Sequence, residues 1–214
     1  MRHNNSHINT LEVSQLSVMR GEALLIDNLS FSLSSGDMLW ITGANGIGKT
    51  SLLKCLSGLL RPSTGQTMYN GESVKNSVLC SIAYQGHFDS HKSTLTVLEN
   101  LEFWQSIYGK NYNLEVPLKK VGLWQYRKQM AKTLSAGQSR RLALARLIIR
   151  QAPLWVLDEP TAAMDTKGSA IINALLSDHV KNGGIAILAS HTSPDKVGEN
   201  TRVLKLEGGQ NAGF

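Results

Sequence analysis

Met38-Leu-Trp-Ile-Thr-Gly-Ala-Asn-Gly-Ile-Gly-Lys-Thr50 is the stretch of sequence that decides the fold. Its apolar first residues predict a buried strand, and the chain runs from there straight into a glycine-rich loop. A helical pattern then extends from Lys49 to about Leu60, with leucines at positions 52, 53, 56, 59 and 60. A strand, a loop and a helix in this order form the context that a phosphate-binding loop of the Walker A type requires.

The loop predicts contacts with the phosphates of a nucleotide. Its glycines let the backbone curl, so that main-chain N–H groups of the loop face phosphate oxygens. The loop residues expected to bind in this way are Gly43, Ala44, Asn45, Gly46, Ile47 and Gly48. The helix N-terminus that follows adds partial positive charge. Lys49 is expected to reach the β- and γ-phosphates in binding and in catalysis, and the Thr50 hydroxyl to ligate Mg²⁺.

A second apolar strand, Leu154-Trp-Val-Leu-Asp158, ends in a carboxylate and is followed by Glu159. Asp158 stands where Walker B carboxylates hold Mg²⁺, usually through water. Glu159 is adjacent in sequence, and its side chain is expected to point in a different direction. Kinases and GTPases also have a phosphate loop, so that loop alone predicts nucleotide binding without indicating a family.

Leu134-Ser-Ala-Gly-Gln138 lies between these two segments and narrows the choice of nucleotide-binding family. It precedes a strong helical pattern at Arg141–Ile149. A hydroxyl and bare amides at a helix start predict a second site for a γ-phosphate. Together the three segments resemble the nucleotide-binding subunits of ABC (ATP-binding cassette) transporters, and the resemblance covers nearly the whole chain.

This resemblance implies roles for two residues near the nucleotide of the same subunit. In the family, the residue that matches Glu159 polarises the attacking water. The residue that matches His191 contacts the γ-phosphate, and here it follows the apolar strand Ile185–Ala189. Both are therefore expected to take part in ATP hydrolysis.

The resemblance also implies a dimer. In the family, the segment that contains Ser135, Gly137 and Gln138 serves the nucleotide of the opposite subunit, and Asp165 matches the D-loop at the same seam. The chain has one set of motifs, so it is expected to pair with itself or with a relative. Two ATP molecules would then lie between the two subunits.

Two positions depart from the common pattern of the family. Many ABC ATPases stack an aromatic residue on adenine, whereas this chain has Arg20 in that region, whose guanidinium plane can stack instead. The glutamine that senses Mg²⁺ and the membrane partner is assigned to Gln85. Counting back from Leu95 places His87 or Phe88 at the usual position, so these two residues are alternatives.

Strands that alternate with helices predict an α/β fold with a mainly parallel sheet. The resemblance implies a P-loop NTPase core of the ABC type with an antiparallel N-terminal β subdomain. The whole chain, residues 1–214, is expected to form one ABC ATPase domain. A helical subdomain at about 94–150 would be inserted in its core.

The bulk composition agrees with a soluble protein and excludes a transmembrane span. The chain has 214 residues, of which 42% are hydrophobic, and no apolar run approaches the roughly 20 residues that cross a bilayer. The polar start of the chain does not look like a secretory signal. The formal net charge of +6 comes from dispersed Lys and Arg residues, which favours a basic surface without a nucleic-acid partner.

Within the family, the chain resembles the ATPase subunits of the bacterial haem exporter that serves cytochrome c maturation. The resemblance rests on Gly86-His87, Leu95–Leu101, Phe103-Trp104 and Leu134–Arg146, with alanine at position 136. It implies a complex with a CcmB-like integral membrane permease and other cytochrome c maturation proteins, at the cytoplasmic face of the inner membrane. The chain has no Cys-x-x-Cys-His motif, and no haem is expected on this subunit.

Two alternatives remain open from the sequence. One is the ATPase of another bacterial transporter, for lipoprotein release or drug export. The other is a soluble ABC ATPase that acts on DNA or on the ribosome. Proteins of that second kind usually have two cassettes or a long coiled coil, and this chain has neither.

Overall fold

Two β-sheets and a layer of helices form the framework of the chain. A computed structural model describes residues 8–77, 81–87, 89–162, 164–191 and 200–207. The strands are β1 Thr10–Arg20, β2 Ala23–Ser34, β3 Met38–Thr42, β4 Thr64–Tyr69, β5 Glu72–Ser73, β6 Ile82–Gln85, β7 Leu154–Asp158, β8 Ile185–Ala189 and β9 Thr201–Lys205. The helices are α1 Lys49–Leu56, α2 Val74–Ser77, α3 Val97–Ile107, α4 Glu115–Lys120, α5 Ala136–Arg150 and α6 Thr166–Lys181, with short 3-10 turns at Trp124–Tyr126 and Ala131–Thr133.

The larger sheet is parallel throughout and has the strand order β6-β7-β8-β3-β9. Because all five strands run in the same direction, their C-terminal ends meet at one edge. The first residues after β3, β6, β7 and β8 converge at this edge. Open α/β sheets bind their ligands in this position.

Alternation of side chains along the parallel strands creates two separate cores. In β7, Trp155 and Leu157 pack with helices α3 to α6, whereas Leu154 and Val156 pack on the other side with α1 and the N-terminal strands. The sheet is therefore buried on both faces. This double burial explains why its strands appear in the sequence as continuous apolar runs.

The N-terminal sheet is antiparallel and has the strand order β2-β1-β4-β5. Strands β1 and β2 pair from Thr10 opposite Ser34 to Arg20 opposite Ala23, so Arg20 lies at the tip of this hairpin. Apolar residues of β1 and β2 share a core with helix α1. The hairpin tip thereby comes close to the C-terminal edge of the parallel sheet.

The predicted fold class is confirmed: a parallel core, an antiparallel N-terminal sheet and helices between β6 and β7. The boundaries differ from the sequence pattern in three places. Helix α1 ends at Leu56 and does not continue to Leu60. Helix α5 begins at Ala136, before the predicted start at Arg141. The edge strand predicted at Arg202–Glu207 is β9.

The helical pattern between residues 94 and 132 is interrupted, and α3 and α4 are separate helices. Gly109 and Gly122 have φ angles of 59° and 66°, a left-handed conformation that ends a helix. Helix α3 starts with a capping box, in which the Thr96 hydroxyl accepts a hydrogen bond from Glu99 N and the Glu99 carboxylate accepts one from Thr96 N. Within the described ranges, the helices all lack the length and apolarity that a membrane span requires.

Leucines on the two sides of helix α1's end allow a matched test of this architecture. Leu53 is fully buried between the two sheets, whereas Leu59 is 52% exposed. We expect Leu53→Ala to lower the free energy of unfolding by about 2–5 kcal/mol because it opens a cavity in the core. Leu59→Ala should change it by less than about 0.5 kcal/mol. Urea denaturation of both variants measures the difference, and equal losses would contradict the described packing.

Candidate active site

The loops at the C-terminal edge of the parallel sheet enclose a cleft of about 770 Å³. It brings together segments that are far apart in the sequence: the β1–β2 hairpin, the β3–α1 loop and the ends of β7 and β8. The predicted site residues that line it are Arg20, Asn45, Gly46, Gly48, Lys49, Thr50, Asp158, Glu159 and His191.

The β3–α1 loop depends on glycine at two positions. Gly43 has a φ of 148°, and a Cβ atom there would lie 2.9 Å from the carbonyl oxygen of Leu206. Gly48, the N-cap of α1, has a φ of 116°, and its Cβ would lie 3.1 Å from that of Leu25. Conformation and space thus both exclude a side chain. The loop has the tight curl that its glycine spacing predicts.

Lys49 is almost buried, with 7% of its surface exposed, and folds back over the loop. Its ammonium group donates hydrogen bonds to the carbonyl oxygens of Gly43, at 2.8 Å, and Ala44, at 3.1 Å. Ile47 is half-buried and packs against the core shared by the two sheets. These contacts fix the positive charge at the centre of the loop.

Thr50 and Asp158 bring the phosphate loop and strand β7 into direct contact. The Thr50 hydroxyl donates a hydrogen bond of 2.7 Å to the Asp158 carboxylate oxygen Oδ2. A hydroxyl and a carboxylate side by side offer the hard oxygen ligands that Mg²⁺ prefers. The donor set present here therefore fits a magnesium ion.

Glu159 and His191 follow neighbouring strands, and their side chains lie next to each other in the cleft. The Glu159 oxygen Oε1 lies 3.3 Å from His191 Nε2, and this oxygen accepts no hydrogen bond from the described residues. The backbone of Glu159 has a φ of 48°, and its N–H donates to the Ala189 carbonyl at 2.9 Å. A left-handed backbone in a residue with a side chain costs roughly 1–3 kcal/mol, and such strain is concentrated at functional sites.

Sequence reasoning missed two residues that shape this edge of the sheet. Tyr84 of β6 lines the cleft, and burial, together with the nearby charge of Asp158, raises the pKa of its phenol to about 12. Arg140 of helix α5 is buried beneath the ends of β6 and β7. Strand β6 has four residues and no alternating pattern, so its sequence does not tell which face meets the cleft. An arginine in a helical pattern usually indicates a solvated face.

Gln85 and His87 take different positions relative to the cleft. Gln85 is fully buried, and its Oε1 accepts a hydrogen bond of 2.9 Å from Arg146, whose guanidinium stacks on Trp104 at 4.6 Å. His87 lines the cleft, whereas Gln85 does not. Phe88, the other alternative, lies outside the described residues. A metal contact from Gln85 stays a prediction, and in this structure its amide ties β6 to the helical layer.

The residues predicted to serve a second subunit cap two helices. Ser135 and Gln138 form a capping box at the start of α5, with bonds of 3.2 Å from Gln138 N to Ser135 Oγ and 2.9 Å from Ser135 N to Gln138 Oε1. Asp165 caps α6 by accepting a bond of 2.7 Å from Gly168 N. These three residues and Gly137 do not line the cleft of their own subunit.

Comparison with known proteins places this geometry in a family. The model of the ABC transporter family matches residues 26–162. The ATP-binding export protein CcmA of cytochrome c biogenesis from Mannheimia succiniciproducens is 43% identical over 190 residues, which cover 86% of this chain and 88% of that protein. The chain belongs to the CcmA family of ABC ATPases. A CcmA protein from Haemophilus influenzae is also 43% identical, over 85% of this chain and 88% of its own length.

Solved structures agree with the fold of an ABC ATPase. An ABC transporter ATP-binding protein from Pyrococcus furiosus, described as putative, is 27% identical and aligns with a TM-score of 0.82 over 91% of this chain and 96% of its own. A dimeric ATP-binding cassette in a post-hydrolysis state, bound to ADP and phosphate, has a TM-score of 0.80 at 22% identity, over 92% of this chain and 94% of its own. The second likeness concerns the fold. As a member of the CcmA family, the chain is an ATPase of the ABC type.

The contact between Gln85 and Arg146 can be tested against a metal role for Gln85. We expect Gln85→Ala to lower the free energy of unfolding by about 1–3 kcal/mol, because it leaves a buried guanidinium short of an acceptor. Affinity for ATP in the presence of Mg²⁺ should change by less than about twofold. Urea denaturation and titration with a fluorescent ATP analogue measure the two quantities.

The control for this test is Gln85→Glu, whose carboxylate retains an acceptor for Arg146 and should preserve stability. The opposite pattern, unchanged stability of Gln85→Ala with a clear loss of affinity for ATP and Mg²⁺, would establish the metal role.

Proposed function

We propose that this chain is the ATP-hydrolysing subunit of the haem exporter complex of c-type cytochrome biogenesis. Its work would release haem-loaded chaperone in the periplasm. The proposal is carried by similarity to CcmA proteins of cytochrome c biogenesis over 86% of the chain. The cleft contains a phosphate loop, two adjacent oxygen ligands and a glutamate, which are the groups that ATP hydrolysis requires.

The partners follow from the same similarity. An ABC ATPase subunit works with a membrane permease, and a CcmB-like integral membrane protein would fill this role beside other cytochrome c maturation proteins. The ATPase would then lie at the cytoplasmic face of the inner membrane. ATP hydrolysis there would be coupled to a step on the periplasmic side through the permease.

The phosphates of ATP would be held by the β3–α1 loop. Backbone N–H groups from Gly43 to Gly48 and the N-terminus of α1 favour the anion, and Lys49 adds a full positive charge to the β- and γ-phosphates. In this structure Lys49 is bound by two loop carbonyls, so phosphate oxygens would replace these acceptors. Arg20, at the hairpin tip beside the cleft, would stack on the adenine ring.

Hydrolysis would use the residues at the ends of β7 and β8. Thr50 and Asp158 would hold Mg²⁺, which when bound neutralises charge on the β- and γ-phosphate oxygens. Glu159 would accept a proton from the attacking water. The water oxygen would then bond to the γ-phosphorus, while the bond from that phosphorus to ADP breaks. His191 would donate a hydrogen bond to the γ-phosphate.

A second subunit would complete each site. Ser135, Gly137 and Gln138 lie away from the cleft of their own chain, at the N-terminus of α5, where an anion is favoured. In a head-to-tail dimer they would contact the γ-phosphate held by the other subunit, and Asp165 would lie at the same seam. Such a pair would bury two ATP molecules.

Replacement of Glu159 by glutamine tests its role in hydrolysis. We expect Glu159→Gln to lower kcat by about 100-fold or more, because the amide keeps the shape and cannot accept the proton. ATP binding should be retained, and the ATP-bound dimer should accumulate and be visible by size exclusion. Glu102→Gln, at an exposed position on α3, is the control and should behave as the unmodified protein. Full turnover by a monomeric Glu159→Gln protein would contradict both roles.

Deletion of the gene tests the biological assignment. We expect the deletion strain to lack covalently haem-bearing c-type cytochromes and to keep its b-type haem proteins, because only release of the chaperone needs this ATPase. Complementation with Lys49→Ala should fail, with haem still loaded on the periplasmic chaperone, whereas the unmodified gene should restore the cytochromes. Haem-stained gels of membrane and periplasmic fractions give the result. Normal c-type cytochromes in the deletion strain would rule out the haem exporter and leave the ABC ATPase.

A further inference from the structure

We propose that Arg140 is a positioning residue for ATP hydrolysis: it fixes the backbone of Glu159 relative to the start of helix α5. The proposal rests on the role proposed above for Glu159 and adds to it the element that holds this residue. It also joins the segment at the start of α5 to the hydrolytic site of the same subunit.

Arg140 binds the end of strand β7 through one nitrogen. Its Nη2 donates a hydrogen bond of 2.5 Å to the carbonyl oxygen of Asp158 and one of 2.7 Å to that of Glu159. These two carbonyls belong to the residues proposed to hold the metal ion and the attacking water. The main chain of both residues is therefore anchored to helix α5.

The other terminal nitrogen of Arg140 binds the segment that follows strand β6. Its Nη1 donates to the carbonyl oxygens of Gly86, at 2.9 Å, and His87, at 3.2 Å, and lies 3.0 Å from the Asp89 carboxylate. One guanidinium thus connects the ends of two neighbouring parallel strands. The planar fork of an arginine suits this double contact, whereas a lysine ammonium is a single point charge.

The position of Arg140 makes these bonds strong and their loss costly. Arg140 is 3% exposed, and Asp89 is the carboxylate that pairs with it in the described part of the chain. A buried cation needs such compensation, since an unpaired one carries a large desolvation penalty. The cluster is therefore held in one arrangement.

The backbone of Glu159 needs this support. Its φ of 48° is unfavourable for a residue with a side chain, so the conformation persists only where neighbours impose it. On one side its N–H is bound to the Ala189 carbonyl, and on the other its carbonyl accepts hydrogen bonds from Arg140, at 2.7 Å, and from the N–H of Ala162, at 3.1 Å. The Ala162 bond lies within the turn that follows β7, so without Arg140 this turn loses its tie to helix α5 and can shift together with the carboxylate. A displacement of about 1 Å in a catalytic group can cost about 100-fold in rate.

Arg140 also lies close to the start of helix α5. The helix begins at Ala136, its N-cap is Ser135, and Arg140 is in the second turn. A rigid turn of helix therefore separates the capping box from the guanidinium. If Ser135 contacts the nucleotide of the other subunit, a shift of the helix start is transmitted to Glu159 without an intervening flexible loop.

The test measures kcat and KM for ATP with the full chain in its membrane complex. We expect Arg140→Gln to lower kcat by about 10- to 100-fold while KM changes by less than about threefold, since the contacts to phosphate remain. Arg140→Lys keeps the charge and should still lower kcat by about tenfold, because one ammonium cannot span both strand ends. This conservative variant carries the test if Arg140→Gln does not fold.

Arg141→Gln is the matched control. Arg141 is the next residue of α5, but it donates to the carbonyl oxygens of Val121 and Gly122 within the helical layer. It should leave kcat within about twofold of the unmodified value, even where it lowers the urea midpoint. An equal loss of kcat in Arg140→Gln and Arg141→Gln would show that general stability is responsible and would overturn the proposal.

A double variant separates this proposal from the role of Glu159. If Arg140 acts through Glu159, Arg140→Gln should lower the residual single-turnover rate of Glu159→Gln by less than about twofold. If the double variant instead loses rate by the product of the two single effects, the proposal is overturned. An unchanged kcat in a folded Arg140 variant would overturn it as well. Full activity of Glu159→Gln alone would instead refute the proposed function of the glutamate, so the two failures are distinguishable.

Discussion

The hydrogen bond between Thr50 and Asp158 joins residues that are 108 positions apart, and the site is organised around it. Thr50 lies in the first turn of the helix that follows β3, and Asp158 ends β7. In the sheet, only β8 separates these two strands. Their parallel direction places both ends at the same edge, and His191, after β8, comes between them. A different strand order would scatter the same residues.

Arginines of helix α5 connect the helical layer to this edge. Arg146 and Arg150 stack on Trp104 and Tyr108 of α3, with distances from guanidinium carbon to ring centroid of 4.6 and 5.4 Å. Each such contact contributes about 0.5–2 kcal/mol, more where it is dry. Burial lowers the pKa of Arg146 below its ordinary value, yet an arginine retains its proton. With Arg140 beneath the strand ends, one helix supplies positive charge to both the layer and the sheet.

Much of this architecture can be predicted from the sequence because local patterns encode it. The strands β3, β7 and β8 appear as apolar runs, and the glycine spacing from 43 to 48 predicts the loop between β3 and α1. Helix boundaries are harder to predict from the sequence. The start of α5 depends on a capping box, and its residues Ser135 and Gln138 have the same pattern as phosphate-binding residues. The S-x-x-Q spacing at Ser135 was the signal that could have placed it.

Side-chain partners across the fold could not be predicted in the same way. Nothing in the sequence around Gln85 shows that its amide meets Arg146, because that contact depends on how α5 crosses the sheet. Tyr84 and Arg140 were missed for the same reason: their partners come from other strands. The nucleotide loop is local in sequence, whereas the support of Glu159 comes from a helix elsewhere in the chain.

The capping box at the start of α5 has a consequence for the speed of assembly. The Ser135 oxygen accepts the Gln138 N–H, and a serine hydroxyl that accepts in this way keeps its own hydrogen for another acceptor. The side chain is thus already ordered before any phosphate arrives, and little rotational freedom is left to lose on contact. Closure of two subunits over a nucleotide would then meet a small entropic barrier at this point, and the cap would stay intact through closure and reopening.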